Sequence, residues 1–455
     1  MSAAAAPLII GAGKQDVPAK ILAPLERAPR GWWLLLGASA ALSGVLVLCI
    51  TITLTQGIGT WGNNIPVGWA FGIINFVWWI GIGHAGTFIS AFLLLMDQPW
   101  RASLNRVAEA MTIFALVNAG VFPLLHLGRP WFAYWLVPYP SALGVWPQFK
   151  SSLPWDVAAI STYFLLSALF WYLGLLPDLA AARDRVTGYW QKRVYGVLAL
   201  GWRGAGDQWK KHRVAYLLLA GLATPLVVSV HSIVSLDFSI AQVPGWHSTI
   251  FPPFFVVGAI YSGFAMVLLL ILPLRRTLGL EPLITERHLS NIASLMLAMG
   301  LMLGYAYIVE AFGAWYSSDP YERYTALVNR PGGPLAWLYW LTVAINVLAP
   351  QVFWSRRARR STPVLIGVSA LVLVGMWTER FTIIVGSLTR DFLPSSWHGY
   401  APTLVDLGLL AGSLGLFGFL FLLFIRWLPT VSMSEVQRLQ FQLHHGEQPD
   451  AGRDG

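Results

Sequence analysis

His126 and Asp156 are the residues of this sequence best suited to proton chemistry. The connection between them, 127–154, reads LGRPWFAYWLVPYPSALGVWPQFKSSLP, with seven aromatics, five prolines and only two cations, Arg129 and Lys150. A solvated loop is polar, so this one is predicted to pack as a lid or as a docking surface for another protein. An imidazole titrates near neutrality and can accept a hydroxyl proton, and a carboxylate behind it can pass that proton to water. Under an aromatic cover, the pair suits a ring with oxygen atoms at both ends. Each residue also has a plainer reading. His126 can close a helix end, Asp156 can sit where the helix dipole favours an acid, and Arg129 can anchor in headgroups.

Other ionisable residues collect at similar positions: Asp237, Glu310, Glu379, Arg380 and Asp406. His84 stands apart, amid glycines, at the centre of its apolar run. Glu379 and Arg380 are adjacent and point about 100° apart on a helix, so Arg380 is expected to neutralise a carboxylate on another helix. Asp406 reads as a helix N-terminal acid and His84 as an interhelical hydrogen bonder. The stretch Gly81-Ile82-Gly83-His84-Ala85-Gly86 fits a dinucleotide fingerprint, but it lies inside an apolar run with no strand context and reads as close helix packing.

The elements that position these residues are membrane spans. Of 455 residues 56% are hydrophobic and 11% charged, against about 25% charged in soluble domains. Mean hydropathy is +0.60, and the 23 tryptophans suit membrane–water boundaries. Crossing a hydrocarbon core takes about 20 apolar residues. Runs of that length recur ten times, at 33–54, 67–95, 107–126, 155–176, 214–235, 253–274, 289–314, 335–354, 363–386 and 403–425. The first is too long for a signal peptide and is read as a permanent helix. The fold predicted is an all-α membrane protein with ten transmembrane helices. A soluble enzyme, a disordered scaffold and a nucleic-acid binder are excluded.

Lys and Arg number 24 on one side of this arrangement and 5 on the other, with Arg380 inside a span. The positive-inside rule puts both termini in the cytoplasm, so the charge of +9 is topological. His126, Asp156, Asp237, Glu310, Glu379, Arg380 and Asp406 then lie toward the outer face, and Glu109 near the inner one. The cytoplasmic segment 177–213, with eight Lys or Arg among Tyr189, Trp190 and Trp202, is predicted to lie as an amphipathic helix in the headgroup layer. The tail 428–455 is polar. Cys49 is the single cysteine, so the chain can supply neither a disulfide nor an iron–sulfur cluster. The span histidines His84, His126 and His231 fall one per helix at different depths, which argues against paired haems. No haem, iron–sulfur cluster or metal is expected on this chain.

Three stretches, IPVGWAFGIINFVWWIGIGHAGTFISA, FPLLHLGRPWFAYWLVPYP and WPQFKSSLPWDVAAISTYF, resemble the NrfD-like family of polysulfide-reductase membrane subunits. Within it the chain is similar to ActC, the larger quinol-binding subunit of bacterial alternative complex III. The resemblance runs across all ten spans. It implies two four-helix bundles, spans two to five and six to nine, flanked by spans one and ten. By residues the divisions are 1–32 for the cytoplasmic N-terminal tail, 33–66 for the first span and outer loop, and 67–235 for the first bundle. The second bundle is 236–386, the last span 387–427 and the C-terminal tail 428–455.

The resemblance also implies oxidation of quinol, expected to be menaquinol, at the outer face of the bacterial inner membrane. His126 and Asp156 become the catalytic and quinol-binding pair, with Arg129, Trp131 and Trp155 as further quinol contacts. Asp237, Glu379, Arg380, Glu310 and His84 become proton-transfer candidates. The implied partners are an extracytoplasmic iron–sulfur subunit, a second NrfD-like subunit, other membrane subunits and c-type cytochromes. Two other readings remain. One is a proton or ion translocator, for which the inner half offers Glu109, His84 and the neutral Asn75, Asn118 and Asn346. The other is a structural anchor for a redox partner.

Overall fold

The computed structural model describes residues 7–10, 16–137 and 151–444, and among these there is no strand. Ten helices are long and apolar enough to cross a bilayer. They are Trp32–Gln56, Phe71–Leu95, Asn105–His126, Ser152–Arg185, Gly206–Ser239, Phe251–Thr277, Glu286–Tyr316, Ala336–Trp354, Thr362–Leu388 and Leu404–Trp427. They match the ten apolar runs in order, and only their ends differ.

Two rings of four helices close on themselves. Spans two, three, four and five pack in sequence, as do spans six, seven, eight and nine. Spans two and six pack on each other where the rings meet, and each is 83% buried over its most apolar stretch. That explains why they are apolar all round: protein covers every face. Span one is only 11% buried and leans on span ten. Its contact is made by glycines. A Cβ at Gly412 would lie 2.6 Å from Leu46, and one at Gly415 would meet Leu42. With no hydrophobic drive between helices in lipid, close backbone approach at small residues supplies the attraction.

Two spans depart from regular helix. Span two carries a π-turn at Phe88–Phe92, and span eight passes from α-helix through a π-turn at Ala344–Leu348 into 3-10 geometry at Ala349–Trp354.

The expected headgroup helix over 177–213 is corrected. Span four continues to Arg185, span five begins at Gly206, and only Tyr189–Leu198 forms a separate helix. The stretch before Arg185 has no glycine break after Gly174 and goes on as helix, burying Asp178. The C-terminal segment is also more ordered than a free tail. Met433–His444 is a helix that packs with the helix Val17–Glu26, so the first and last described helices meet at one end of the molecule.

Candidate functional site

His126 is the last helical residue of span three. Gly128 follows with φ +69°, a left-handed conformation that favours glycine and turns the chain straight off the helix. Pro130 then opens a short 3-10 helix, Pro130–Leu136. The His126 ring lies 6.2 Å from both Trp61 and Trp69, tilted on the first and edge-on to the second. Trp61 is fixed by its Nε1 donating to Thr53 at 3.0 Å, and Trp69 packs on Phe238 and Trp246. The His126 Nδ1 is buried with no hydrogen-bond partner among the described residues.

Asp156 lies in the second turn of span four, and Ser151 rather than Asp156 caps the helix. Its carboxyl is buried and neighbours that of Asp237 on span five, which is buried too and also neighbours Ser152. One oxygen of each, Asp156 Oδ1 and Asp237 Oδ1, is buried without a partner among the described residues. Among the described residues no hydrogen bond joins His126 to Asp156. The aromatic cluster Trp69, Phe238 and Trp246 carries the site from His126 across to the neighbour of Asp237.

Arg129 is exposed, and Trp131 and Trp155 are 61% and 52% exposed, at the rim of this end. Of the predicted lid, 138–150 lie outside the described residues. Within 131–137, Trp131, Tyr134 and Trp135 present large apolar faces outward. Such an exposed aromatic patch beside a buried polar site fits a docking surface.

His84 is not alone at its depth. Its ring meets that of His231 at 4.6 Å, edge to face, which corrects the expectation of separate depths. Span five runs on to Ser239, so His231 lies eight residues, about 12 Å, inside the helix end. His84 Nδ1 donates to the Ile80 carbonyl at 2.7 Å, while His84 Nε2 and both nitrogens of His231 are buried with no partner among the described residues. Tyr163 packs 5.2 Å from His84, with its hydroxyl bonded to Thr87 at 2.8 Å.

Arg380 and Glu379 pair with each other, contrary to the expectation that they would seek other helices. Neighbouring side chains leave the helix about 100° apart, but arginine is long enough to bend back. Glu379 also accepts from Tyr307 of span seven and, at 3.4 Å, from Asn346 of span eight. The Arg380 guanidinium lies 4.2 Å over Phe255, whose ring is 5.9 Å from His231. Glu310 is ion-paired with Arg330 at 2.7 Å, and Asp406 accepts from Gly62 and Thr403, the N-terminal role read from sequence.

The other end of the first bundle holds a cluster that sequence reasoning missed. Arg106 pairs with Glu109 at 2.8 Å and with Asp178 at 3.1 Å, and Tyr216 donates to Glu109 at 3.1 Å. All four are buried. The i,i+3 spacing of Arg106 and Glu109 is a signal for it. By hydropathy alone Arg106 reads only as a boundary charge and Asp178 as part of a loop. A void of ≈ 10 Å³, about one water, lies between Glu109 and Thr87 and is lined by Ser90, Thr112 and Ser167.

Residues 60–390 match the family described as "Polysulphide reductase, NrfD". The chain is 22% identical to a putative dimethyl sulfoxide reductase membrane subunit of Halobacterium salinarum, over 85% of this chain and 90% of that one. It is 23% identical to a selenate reductase subunit of Mesobacillus selenatarsenatis, over 89% and 95%. A third relative, 21% identical over 65% of this chain and 64% of its own, is the Hdr-like menaquinol oxidoreductase integral membrane subunit of Archaeoglobus fulgidus. The matched segment takes in the Trp61–His126 end, the Asp156–Asp237 pair and all but the flanking spans, and on that match the chain belongs to the NrfD family of multi-pass membrane subunits.

Proposed function

We propose that this chain is the quinol-oxidising membrane subunit of a multi-subunit oxidoreductase, of the alternative complex III type. The observation that carries it is a set of buried polar atoms at one end of the first bundle that find no partner among the described residues: His126 Nδ1, Asp156 Oδ1 and Asp237 Oδ1. Buried polar atoms cost free energy unless something bonds them. A flat aromatic diol supplies donors at both ends, and Trp61, Trp69 and Phe238 offer it ring faces. The residues therefore fit a quinol. The name of the Archaeoglobus relative supports menaquinol as its class.

In this reading the site faces the outer side of the bacterial cytoplasmic membrane, as the distribution of Lys and Arg supports. One quinol hydroxyl gives its proton to His126. The other faces Asp156 and Asp237, whose carboxyls take up its proton and hand it outward. Loss of two protons and two electrons converts quinol to quinone. The electrons leave to the clusters of an extracytoplasmic iron–sulfur partner docked on the aromatic patch around Trp131 and Trp135, and then to c-type cytochromes. The membrane part is completed by a second NrfD-like subunit.

The test is quinol oxidation by the purified complex. His126→Ala or Asp156→Asn is expected to lower turnover by about 10²-fold or more, a usual contribution of general acid–base groups, with all subunits still assembled. Normal turnover in either variant overturns the assignment.

A second reading, proton translocation, gains support from the buried cluster around Glu109. Polar groups follow one another from Glu109 through the small void to Thr87, Tyr163, His84 and His231. Uptake of protons from the cytoplasmic side in sealed vesicles, lost in Glu109→Gln, is the result that favours it over outward release alone.

A further inference from the structure

The second bundle contains a cavity of ≈ 210 Å³ that the quinol reading does not use. It lies between the start of span eight (Pro334, Leu335), the last turns of span nine (Phe381, Val385) and the loop beyond it (Arg390, Tyr400). In chain order this place in spans six to nine corresponds to the quinol site in spans two to five. Its chemistry is different. Where the first bundle offers a histidine and two carboxyls, this cavity offers arginines.

Arg330 lines it, is 7% exposed and has a buried Nε with no partner among the described residues. Its terminal nitrogens are taken by Glu310 at 2.7 Å and the Gly245 carbonyl at 2.8 Å. Arg390 also lines it. Its Nη1 donates to the Thr389 carbonyl at 2.9 Å, and its guanidinium lies 5.1 Å over Trp397. Among the described residues no carboxylate comes within ion-pair distance of Arg390. The neighbouring Asp391 turns its carboxylate to the Phe392 N–H at 2.6 Å. Only five Lys or Arg fall on this side of the spans, and two of them meet at one cavity.

Arginine forks match phosphate oxygens, and an unpaired arginine at a membrane boundary attracts an anionic headgroup. A quinone, being neutral, would leave the charge of Arg390 uncompensated. The cavity walls are mostly apolar, and beside them Val328 and Trp337 are 56% and 66% exposed, a lipid-facing surface for acyl chains. We propose that this cavity binds the phosphate of an anionic glycerophospholipid, held as a resident lipid by Arg390 and the Nε of Arg330. The shared chemistry is a phosphate oxyanion, and the apolar walls select the lipid over soluble phosphate.

The experiment measures lipid retained by the delipidated, purified complex, by native mass spectrometry, with three probes: dioleoylphosphatidylglycerol, dioleoylglycerol and inorganic phosphate. The wild type is expected to retain one phosphatidylglycerol at this site, Arg390→Gln to bind it at least tenfold more weakly, and Arg390→Lys to recover most of the loss. Quinol turnover in excess lipid is expected to be the same in wild type and Arg390→Gln. Four results would each overturn the proposal: equal retention by wild type and Arg390→Gln, equal binding of the phosphate-free diacylglycerol, displacement of the lipid by millimolar inorganic phosphate, or loss of a co-purifying quinone in Arg390→Gln.

Discussion

The imidazoles of His84 and His231 meet edge to face with centroids 4.6 Å apart, tying span two to span five at the core of the first bundle. Three of their four ring nitrogens are buried without partners among the described residues. A phenyl ring at position 84 removes an unsatisfied polar atom and keeps the packing, so His84→Phe is expected to leave the thermal unfolding midpoint unchanged or higher. If the pair exchanges protons with the carboxyls above it, quinol turnover falls about tenfold or more in the same variant. An unchanged turnover would reduce the pair to packing.

Arg106 sits between Glu109 and Asp178 with all three side chains no more than 2% exposed. Removing the cation strands two buried acids. Arg106→Met is expected to cost about 3–5 kcal/mol, read as a lower midpoint and a poor yield of folded protein. The exposed pair Arg185–Asp16, at 3.5 Å, is the control. Arg185→Ala is expected to change stability by about 1 kcal/mol or less.

Span one is held to span ten where Gly412 meets Leu46 and Gly408 meets Cys49. Cys49 is buried there. Gly412→Leu should force the helices apart and turn Cys49 from inert to reactive toward a small maleimide in detergent. A cysteine that stays unreactive would show that the two helices do not depend on this contact.

Because Cys49 is shielded, added cysteines report topology cleanly. Ser395→Cys, in the exposed loop before span ten, is expected to label with an impermeant maleimide in spheroplasts, and Ala205→Cys, before span five, only after lysis. The reverse pattern would place the His126 end in the cytoplasm.

Glu322 lies outside the spans, where burial raises its carboxyl above the ordinary range and the Gly245 N–H, at 3.0 Å from both oxygens, opposes the shift. A raised folded value means the acid contributes stability below the ordinary Glu value of about 4.3 and loses it as pH climbs through the raised one. The thermal midpoint is expected to decline over that interval in the wild type and to flatten in Glu322→Gln. Parallel curves would remove Glu322 from the pH dependence.

The amino-acid sequence alone determined the ten spans, their order and the candidates His126, Asp156 and Asp237, because apolar length and rare charges are properties of each segment separately. It also showed Asp406 as a helix-start acid, a local feature. What only the tertiary structure decided is who meets whom: Asp156 with Asp237, His84 with His231, Arg380 with its own neighbour, and Arg106 with Asp178. Hydropathy ends span four at 176 where the helix runs on to Arg185, and an error of only two residues is already about 3 Å of depth and 200° of rotation. That error is larger than a hydrogen bond, so contacts between helices wait on packing, which fixes depth and rotation together.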